Sequence, residues 1–306
     1  MSSMDSASPW TGPFHRRCGD AELSVITDRT YFLDGGAFFG VVPKPLWSRH
    51  APADELNRVR SGLNSLLLRL AGKLVLVETG CGNKLAPKQM EHWGVDPRRD
   101  FLDRLRAAGF EPGAVDVVIN THLHYDHCGW NTLRAADGAI LPAFPNARYY
   151  VQRAEWEHAR QQHERDRVSY LSDNYDPLVA SGQMALLEGG RELLPGLSVL
   201  PLPGHTRGLQ GVLVRSGGET ACYVSDLMPT HWHLNPSWVM AFDLYPLETV
   251  ENKRRLLQQA AREHWLLVFT HDPEHAWGYV DEDPQQRGKF RFTPAPPGAA
   301  EVPGPK

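Results

Sequence analysis

Residues 117–131 read VVINTHLHYDHCGWN, an apolar run ending in His122, His124, Asp126 and His127. Neutral imidazole and carboxylate are donors that zinc, iron and manganese accept, so three histidines and an aspartate this close together read as a metal site. Cys128 follows directly, and its small side chain reads as a buried residue rather than a ligand. Four donors are enough for one structural zinc. Three more residues of ligand type stand in the same setting, each after an apolar run: His205 in PLPGHTRG, Asp226 in YVSDLMP and His271 in VFTHDPEH. Seven donors suit two divalent ions about 3.5–4 Å apart that share a carboxylate and a water. A structural site is closed by protein ligands, whereas a hydrolytic one keeps positions open for water and substrate, and seven ligands over two ions leave that room.

The elements that must position these residues are legible in outline. LSVITDRTYFL (23–33) is β-branched and aromatic enough for a strand, and LNSLLLRL and KLVLVETG form a hairpin turning at Ala71-Gly72. RRDFLDRLRAAGF has helical period and stops at Gly109. VDVVIN, ARYYVQ, LSVLPLPG and LLVFTH are strands, and QGVLVRSGGETACYVSD is a hairpin on Gly217-Gly218. AEWEHARQQHERDR reads as a charged helix and ETVENKRRLLQQAAREHW as an amphipathic one. Strands and helices in alternation, with several hairpins, imply sheets covered by helices on their outer faces. GGAFFGVVPKPLW (35–47) reads as a Gly/Pro-punctuated loop whose aromatics either form a contact surface or pack back on the core. Residues 1–22 read as a flexible leader, 23–287 as a single domain, and 288–306 as a disordered Pro/Gly-rich tail.

Composition narrows the function. Apolar content of 42% and charged content of 22% are ordinary for a globular protein, and a net charge of −4 argues against nucleic acid as the partner. The N-terminal stretch has no apolar core of a signal peptide and no run is long enough to span a bilayer, so the expected compartment is the cytoplasm and no membrane partner is expected. Cys18, Cys81, Cys128 and Cys222 form no CxxC pair and suggest neither a disulfide framework nor a thiolate zinc site.

The ordered set HxHxDH, GHTxG, an Asp after a strand and a late His resembles the metallo-β-lactamase superfamily, and Glu78-Thr79-Gly80 fits the same order. The likeness spans roughly residues 23–275. Within it, Asp34-Gly35-Gly36-Ala37 followed by Phe39 to Trp47 (FGVVPKPLW) resembles a segment of the YtnP-like quorum-quenching lactonases. The resemblance implies an α/β, four-layer αββα sandwich with two mixed sheets flanked by helices. It implies that His122, His124 and His205 hold one metal, that Asp126, His127 and His271 hold the other, and that Asp226 bridges them. The ions are expected to be zinc, with iron, cobalt or manganese accepted by the same ligands. A homodimer is implied by the likeness alone.

The implied chemistry is opening of a lactone ring, of N-acyl-homoserine lactones or similar small molecules, by a hydroxide held between the metals. Asp126 and Asp226 are the catalytic carboxylates, Asp126 as the proton shuttle. Phe38, Phe39, Trp130, His231, Trp232 and Trp238 are candidates for an apolar substrate pocket, and Glu78 and His275 for outer support of the ligands. The other histidines, His15, His50, His92, His158, His163 and His264, read as surface residues, and His233 shares with His231 the surroundings of a pocket wall. Two departures stand out: many relatives have Asp at Glu78 and Gly at Ser225. A third bears on the chemistry. The lactonase branch has a Tyr three residues after the bridging Asp, where this chain has Pro229, so Tyr223, His231 or Tyr245, or the metals alone, must assist the oxyanion. The alternatives are an organophosphate triesterase or arylesterase on the same site, or a metal-stabilised binding protein without catalysis. Glyoxalase II is disfavoured by the Pro-rich tail where a helical domain would stand, and a tRNA nuclease by the missing basic arm.

Overall fold

The computed structural model describes residues 14–29, 31–95, 100–286 and 288–296. Two seven-stranded mixed sheets carry the fold, each with its strands in chain order. The first runs Phe14–Cys18, Ala21–Thr27, Asn64–Leu70, Lys73–Val77, Val117–Ile119, Arg148–Gln152 and Met184–Leu187. The second runs Arg191–Leu194, Leu197–Pro201, Gln210–Ser216, Glu219–Tyr223, Leu266–Val268, Trp277–Glu282 and Phe290–Pro294. The expected hairpins are present, and Ala71 and Gly72 take φ of 50° and 73°, the paired positive values that a tight two-residue turn demands.

Side-chain alternation builds the layers. Leu66, Leu68, Val75, Val77, Val117 and Ile119 of the first sheet meet Val199, Val212, Val214, Tyr223, Leu266 and Val268 of the second in one core. The intervening Leu67, Leu74, Leu76 and Val118 face outward onto Phe101 and Leu105 of the helix Phe101–Ala107 and Ala159 of the helix Arg153–Gln161. Leu213, Cys222 and Leu267 likewise pack on Leu256, Leu257 and Ala260 of the helix Pro246–Glu263. Both faces of each sheet are therefore covered, which is why these strands read as continuous apolar runs. The result is the expected αββα sandwich. Each fully buried leucine in such a core is worth about 2–5 kcal/mol against alanine.

The structure corrects several expectations. Order begins before residue 23: Phe14–Cys18 pairs with Ala21–Thr27, and Cys18 is buried against the second sheet. At the other end Phe290–Pro294 closes the second sheet beside Trp277–Glu282, with Phe290 in the core, so the domain continues past 287. Residues 1–13 and 297–306, the rest of the expected leader and tail, lie outside the described residues. The stretch 23–33 is divided between Ala21–Thr27 and the short ribbon strand Tyr31–Asp34, which pairs with Arg58–Ser61. Residues 35–47 hold two short helices, Gly35–Phe39 and Lys44–Trp47. Asp34 caps the first by accepting the Ala37 N–H at 2.8 Å. The charged helix is shorter than its sequence suggests, stopping where Gln162 turns left-handed. All four cysteines are free and buried, Cys128 donating to the Leu123 carbonyl as a small core residue. No described helix is long and apolar enough to cross a membrane.

Candidate metal centre

The ligand-type residues gather because strands of both sheets end at one edge of the sandwich. Val117–Ile119 runs parallel to Lys73–Val77 and leads into Asn120–Cys128, while Lys73–Val77 leads into Glu78. In the second sheet Glu219–Tyr223 and Leu266–Val268 are parallel and deliver Asp226 and His271, and Leu197–Pro201 delivers His205. Gly129 lets the ligand loop approach the opposite turn. A Cβ there would stand 2.1 Å from the Cys81 carbonyl carbon, so only glycine fits.

All seven predicted donors meet, in two groups. His124 Nδ1 lies 3.1 Å from His122 Nε2 and 3.2 Å from His205 Nε2. Across the site His127 Nε2 and His271 Nε2 are 3.2 Å apart, with Asp126 Oδ2 at 3.6 and 3.7 Å from them. Asp226 stands between, its Oδ2 3.3 Å from His205 and 3.5 Å from His127, its Oδ1 3.2 Å from His271. Three ring nitrogens converging on one point cannot be satisfied by one shared proton, and buried Asp226 Oδ1 has no hydrogen-bond partner. A cation in each group satisfies both. The donor set therefore fits a dinuclear metal site.

The far nitrogens of the rings are held, which fixes their orientation. Asp243 Oδ1 binds His205 Nδ1 at 2.9 Å, Gly62 O binds His271 Nδ1 at 2.8 Å, and Thr121 Oγ1 binds His122 Nδ1 at 3.1 Å. Glu78 accepts the Thr121 N–H at 2.8 Å with one oxygen and faces His127 Nδ1 at 3.4 Å with the other. Glu78 thus meets the side of His127 turned away from Asp126, as its expected supporting role requires. His127 Nδ1 meets Glu78 at ion-pair distance without a hydrogen bond, and His124 has its ring edge-on to Tyr170 and its Nε2 without a hydrogen-bond partner. Glu78 and Ser225 both hold positive φ, 66° and 48°. At Ser225 this is a conformation that favours glycine, and the Ser225 hydroxyl is tied to Thr121 Oγ1 at 2.7 Å.

Burial opposes charge throughout, yet the carboxylates prevail where they cluster. Burial would raise Asp226, but His127, His271 and His205 hold its carboxyl well below the usual range. Burial would lower His127, but Asp226, Asp126 and Glu78 push it well up, a setting that draws positive charge. His122 and His124 are driven well down, by burial first, and stand neutral as ligands must.

A cavity of about 210 Å³ opens over the cluster. His124, Asp126, His205, Asp226 and His271 form its floor, and Leu33, Val168, Met240, Phe242 and Leu244 give it an apolar wall. Arg165 donates to the Ala241 carbonyl, joining two sides of the mouth. Tyr31 also lines it, donating to Asp126 Oδ2 at 2.8 Å with its hydroxyl 3.4 Å from His271 Nδ1. Burial first, and the Asp126 charge next, hold this phenol well above its ordinary pKa, so it keeps its proton.

The six expected pocket residues lie elsewhere. Phe38, Phe39, Trp232 and Trp238 pack with Trp47 and Met240 in a separate core, where Phe39 stacks between Trp47 (5.0 Å) and His233 (4.9 Å). His233 bonds Phe38 O and Thr230 Oγ1, and burial brings its pKa down to about 3. Phe39 and Trp47 thus bury each other, so the aromatics of 35–47 pack back on the core, while Val41 and Leu46 between them stay exposed. Trp130 belongs to the core between the first sheet and its helices, and His231 bonds Asp272. His275 supports no ligand side chain; its ring meets His231 and Phe292. Of the candidates for the oxyanion, Tyr223 donates to Asn64 O and Tyr245 stacks under Arg207, and neither lines the cavity.

The profile of the metallo-beta-lactamase superfamily matches residues 60–271, and the chain belongs to that superfamily. Fold and site together define a metal-dependent hydrolase. An N-acyl homoserine lactonase, AttM of Rhizobium radiobacter, is 26% identical over 235 residues, which cover 72% of this chain and 84% of that protein. An N-acyl homoserine lactonase of Bacillus sp is 35% identical over 179 residues, 58% of this chain and 64% of that one. Among solved structures, a probable metal-dependent hydrolase from Staphylococcus aureus superposes with a TM-score of 0.82 at 29% identity, covering 92% of this chain and 99% of its own. AidC, a dizinc quorum-quenching lactonase, shares the fold with a TM-score of 0.75 at 20% identity, over 93% and 98% of the two chains.

Proposed function

We propose that this chain opens lactone rings, with N-acyl-homoserine lactones as the substrate class, using two divalent ions, zinc foremost, at the cluster of seven donors. The observation that carries the reading is the cavity: metal-ligating side chains form its floor and an apolar wall of Leu33, Val168, Met240, Phe242 and Leu244 rises beside them. A polar ring over the floor and an acyl chain against that wall satisfy both surfaces. Partly exposed Val168 and Phe242, at 63% and 41%, offer apolar area for an acyl chain to cover. The N-acyl homoserine lactonase relatives support the same reading, and the segment Asp34–Trp47 supports the YtnP-like subtype.

His122, His124 and His205 are assigned to one ion, Asp126, His127 and His271 to the other, and Asp226 to both. When bound, the pair supplies Lewis acidity, bringing the pKa of water into the neutral range and polarising the carbonyl under attack. Asp126 receives the proton released as the carbonyl carbon is attacked and returns it to the ring oxygen as the C–O bond breaks. Tyr31, kept protonated beside it and lining the same cavity, donates to Asp126, and we assign it the role of donor to the developing oxyanion. Asp243, Glu78, Thr121 and the Gly62 carbonyl hold the ligand rings in place throughout.

The test is a panel of homoserine lactones of several acyl lengths beside simple aryl esters and paraoxon-type phosphotriesters, with metal content measured on the same sample. Lactones are expected to give the highest kcat/KM. A preparation with two ions per chain and no lactone turnover would end the proposal. Preference for the phosphotriester would reassign the site to organophosphate hydrolysis.

A further inference from the structure

A second group of ligand-type side chains stands apart from the seven: His231, Glu274 and His275, whose donor atoms all lie within 4.8 Å of one another. His231 opens the turn His231–Leu234 that follows Asp226, and Glu274 and His275 lie in the loop that follows His271. Fully buried Asp272 organises all three. Its Oδ2 accepts the His231 N–H at 2.8 Å and meets His231 Nδ1 at 2.5 Å, and its Oδ1 accepts the N–H of Glu274 at 2.9 Å and of His275 at 2.8 Å.

With Nδ1 protonated toward Asp272, His231 Nε2 is left as a lone pair, and it lies 3.9 Å from Glu274 Oε2. That is too long for a hydrogen bond. The rings of His231 and His275 are 4.8 Å apart at 67°, and Phe292 covers both, at 5.0 and 5.4 Å. A carboxylate behind an imidazole, fixing its tautomer and aim, is the supporting arrangement of metal-bound histidine. Two histidines and a glutamate are a set that zinc accepts with a position left open. Donors on a tetrahedral zinc stand roughly 3.3 Å apart, so donors already within 4.8 Å of one another come onto one ion by side-chain shifts, with half-exposed Glu274 the freest to move. A surface cavity of about 330 Å³, lined by Glu274, His275, Phe14, Trp277 and Pro294, adjoins it and leaves room for the open position.

We infer that His231 Nε2, Glu274 and His275 bind a separate divalent cation of the zinc class. The ion would pin the loop after Asp226 to the loop after His271, the two segments already joined where the His271 N–H donates to Pro229 O at 3.0 Å. The site is thus a clip behind the main cluster, built on Asp272, and it is independent of which substrate that cluster takes.

The test uses the purified, metal-loaded protein and a Glu274→Gln/His275→Asn double variant, which retains the His231–Asp272 pair and all seven donors of the main cluster. Both are dialysed to equilibrium against buffered free zinc from nanomolar to micromolar, and bound zinc is counted by mass spectrometry. Wild type is expected to hold one equivalent more than the variant, and added zinc is expected to raise its Tm further. Equal stoichiometry in the two proteins overturns the inference. Because the readout is a difference, an unexpected metal count at the main cluster leaves it intact. Unchanged Tm values of the two proteins under chelator establish that the variant is folded.

Discussion

The hydroxyl of Tyr31 sits 2.8 Å from Oδ2 of Asp126, joining a residue of the N-terminal ribbon to the histidine loop nearly a hundred positions later. Tyr31 lies ahead of residues 60–271, the segment that the superfamily profile matches, and reaches the site only through the fold. It stands in a chain with Pro229 where the lactonase branch has its tyrosine. Tyr31→Phe keeps the ring and removes only the donor. The expected result is a fall in kcat of about 10²–10³-fold, the usual loss for one oxyanion donor, with metal content unchanged and KM shifted little. Steady-state kinetics with a homoserine lactone decides it. Full kcat in the variant removes Tyr31 from the chemistry.

Asp226 is the side chain that touches both groups of donors. Asp226→Ala is expected to lose metal and activity together, because each group keeps only three donors and the carboxylate placed between them is gone. Metal analysis and lactone turnover on one preparation check it. A variant with two ions and full rate would refute the bridging role.

Asp243 acts one layer out. Its carboxylate fixes the ring of His205 from behind at 2.9 Å without reaching the other ligands. Asp243→Ala is expected to weaken metal affinity by about 10–100-fold, and excess zinc should restore most of the rate. Competition with a chromophoric chelator measures the affinity. Unchanged affinity would mean that packing alone orients His205.

These cases show what was legible in the sequence and what was not. His122, His124, Asp126 and His127 fall within one loop, so their spacing announces itself, and His205, Asp226 and His271 each follow a recognisable apolar strand. The sandwich was legible for the same reason, since buried strands read as unbroken apolar runs. Asp243, Tyr31 and the Gly62 carbonyl reach the site only through tertiary folding, and no local pattern marks them. The aromatics of residues 38–47 show the opposite failure. Their composition suggested a pocket, but whether they face solvent depends on Trp47 folding back onto Phe39 and Gly35, where a Cβ would stand 2.4 Å from the indole ring. The cavity wall instead uses Val168, Phe242 and Leu244, ordinary residues from connecting segments.

Lys253 gives a pH-dependent prediction away from the metals. Its ammonium is wholly buried, donates to the Trp238 carbonyl, and is brought down from 10.5 to about 7 by burial, with the charge of Asp243 pulling the other way. Between pH 7 and the ordinary lysine value near 10.4, the unfolded chain therefore binds more protons than the folded one. Stability attributable to this group rises with pH across that window and is flat below it, where both states are protonated. Lys253→Met removes the titration and leaves the Trp238 carbonyl without its donor, a loss of about 1–3 kcal/mol. Unfolding free energies of the two proteins, measured in denaturant from pH 7.5 to 9.5, should diverge in slope by up to about 1.4 kcal/mol per pH unit, wild type being the steeper. The metal centre and the cysteines titrate alike in both and cancel in the comparison. Parallel curves would mean that Lys253 keeps its proton inside the fold, held there by Asp243.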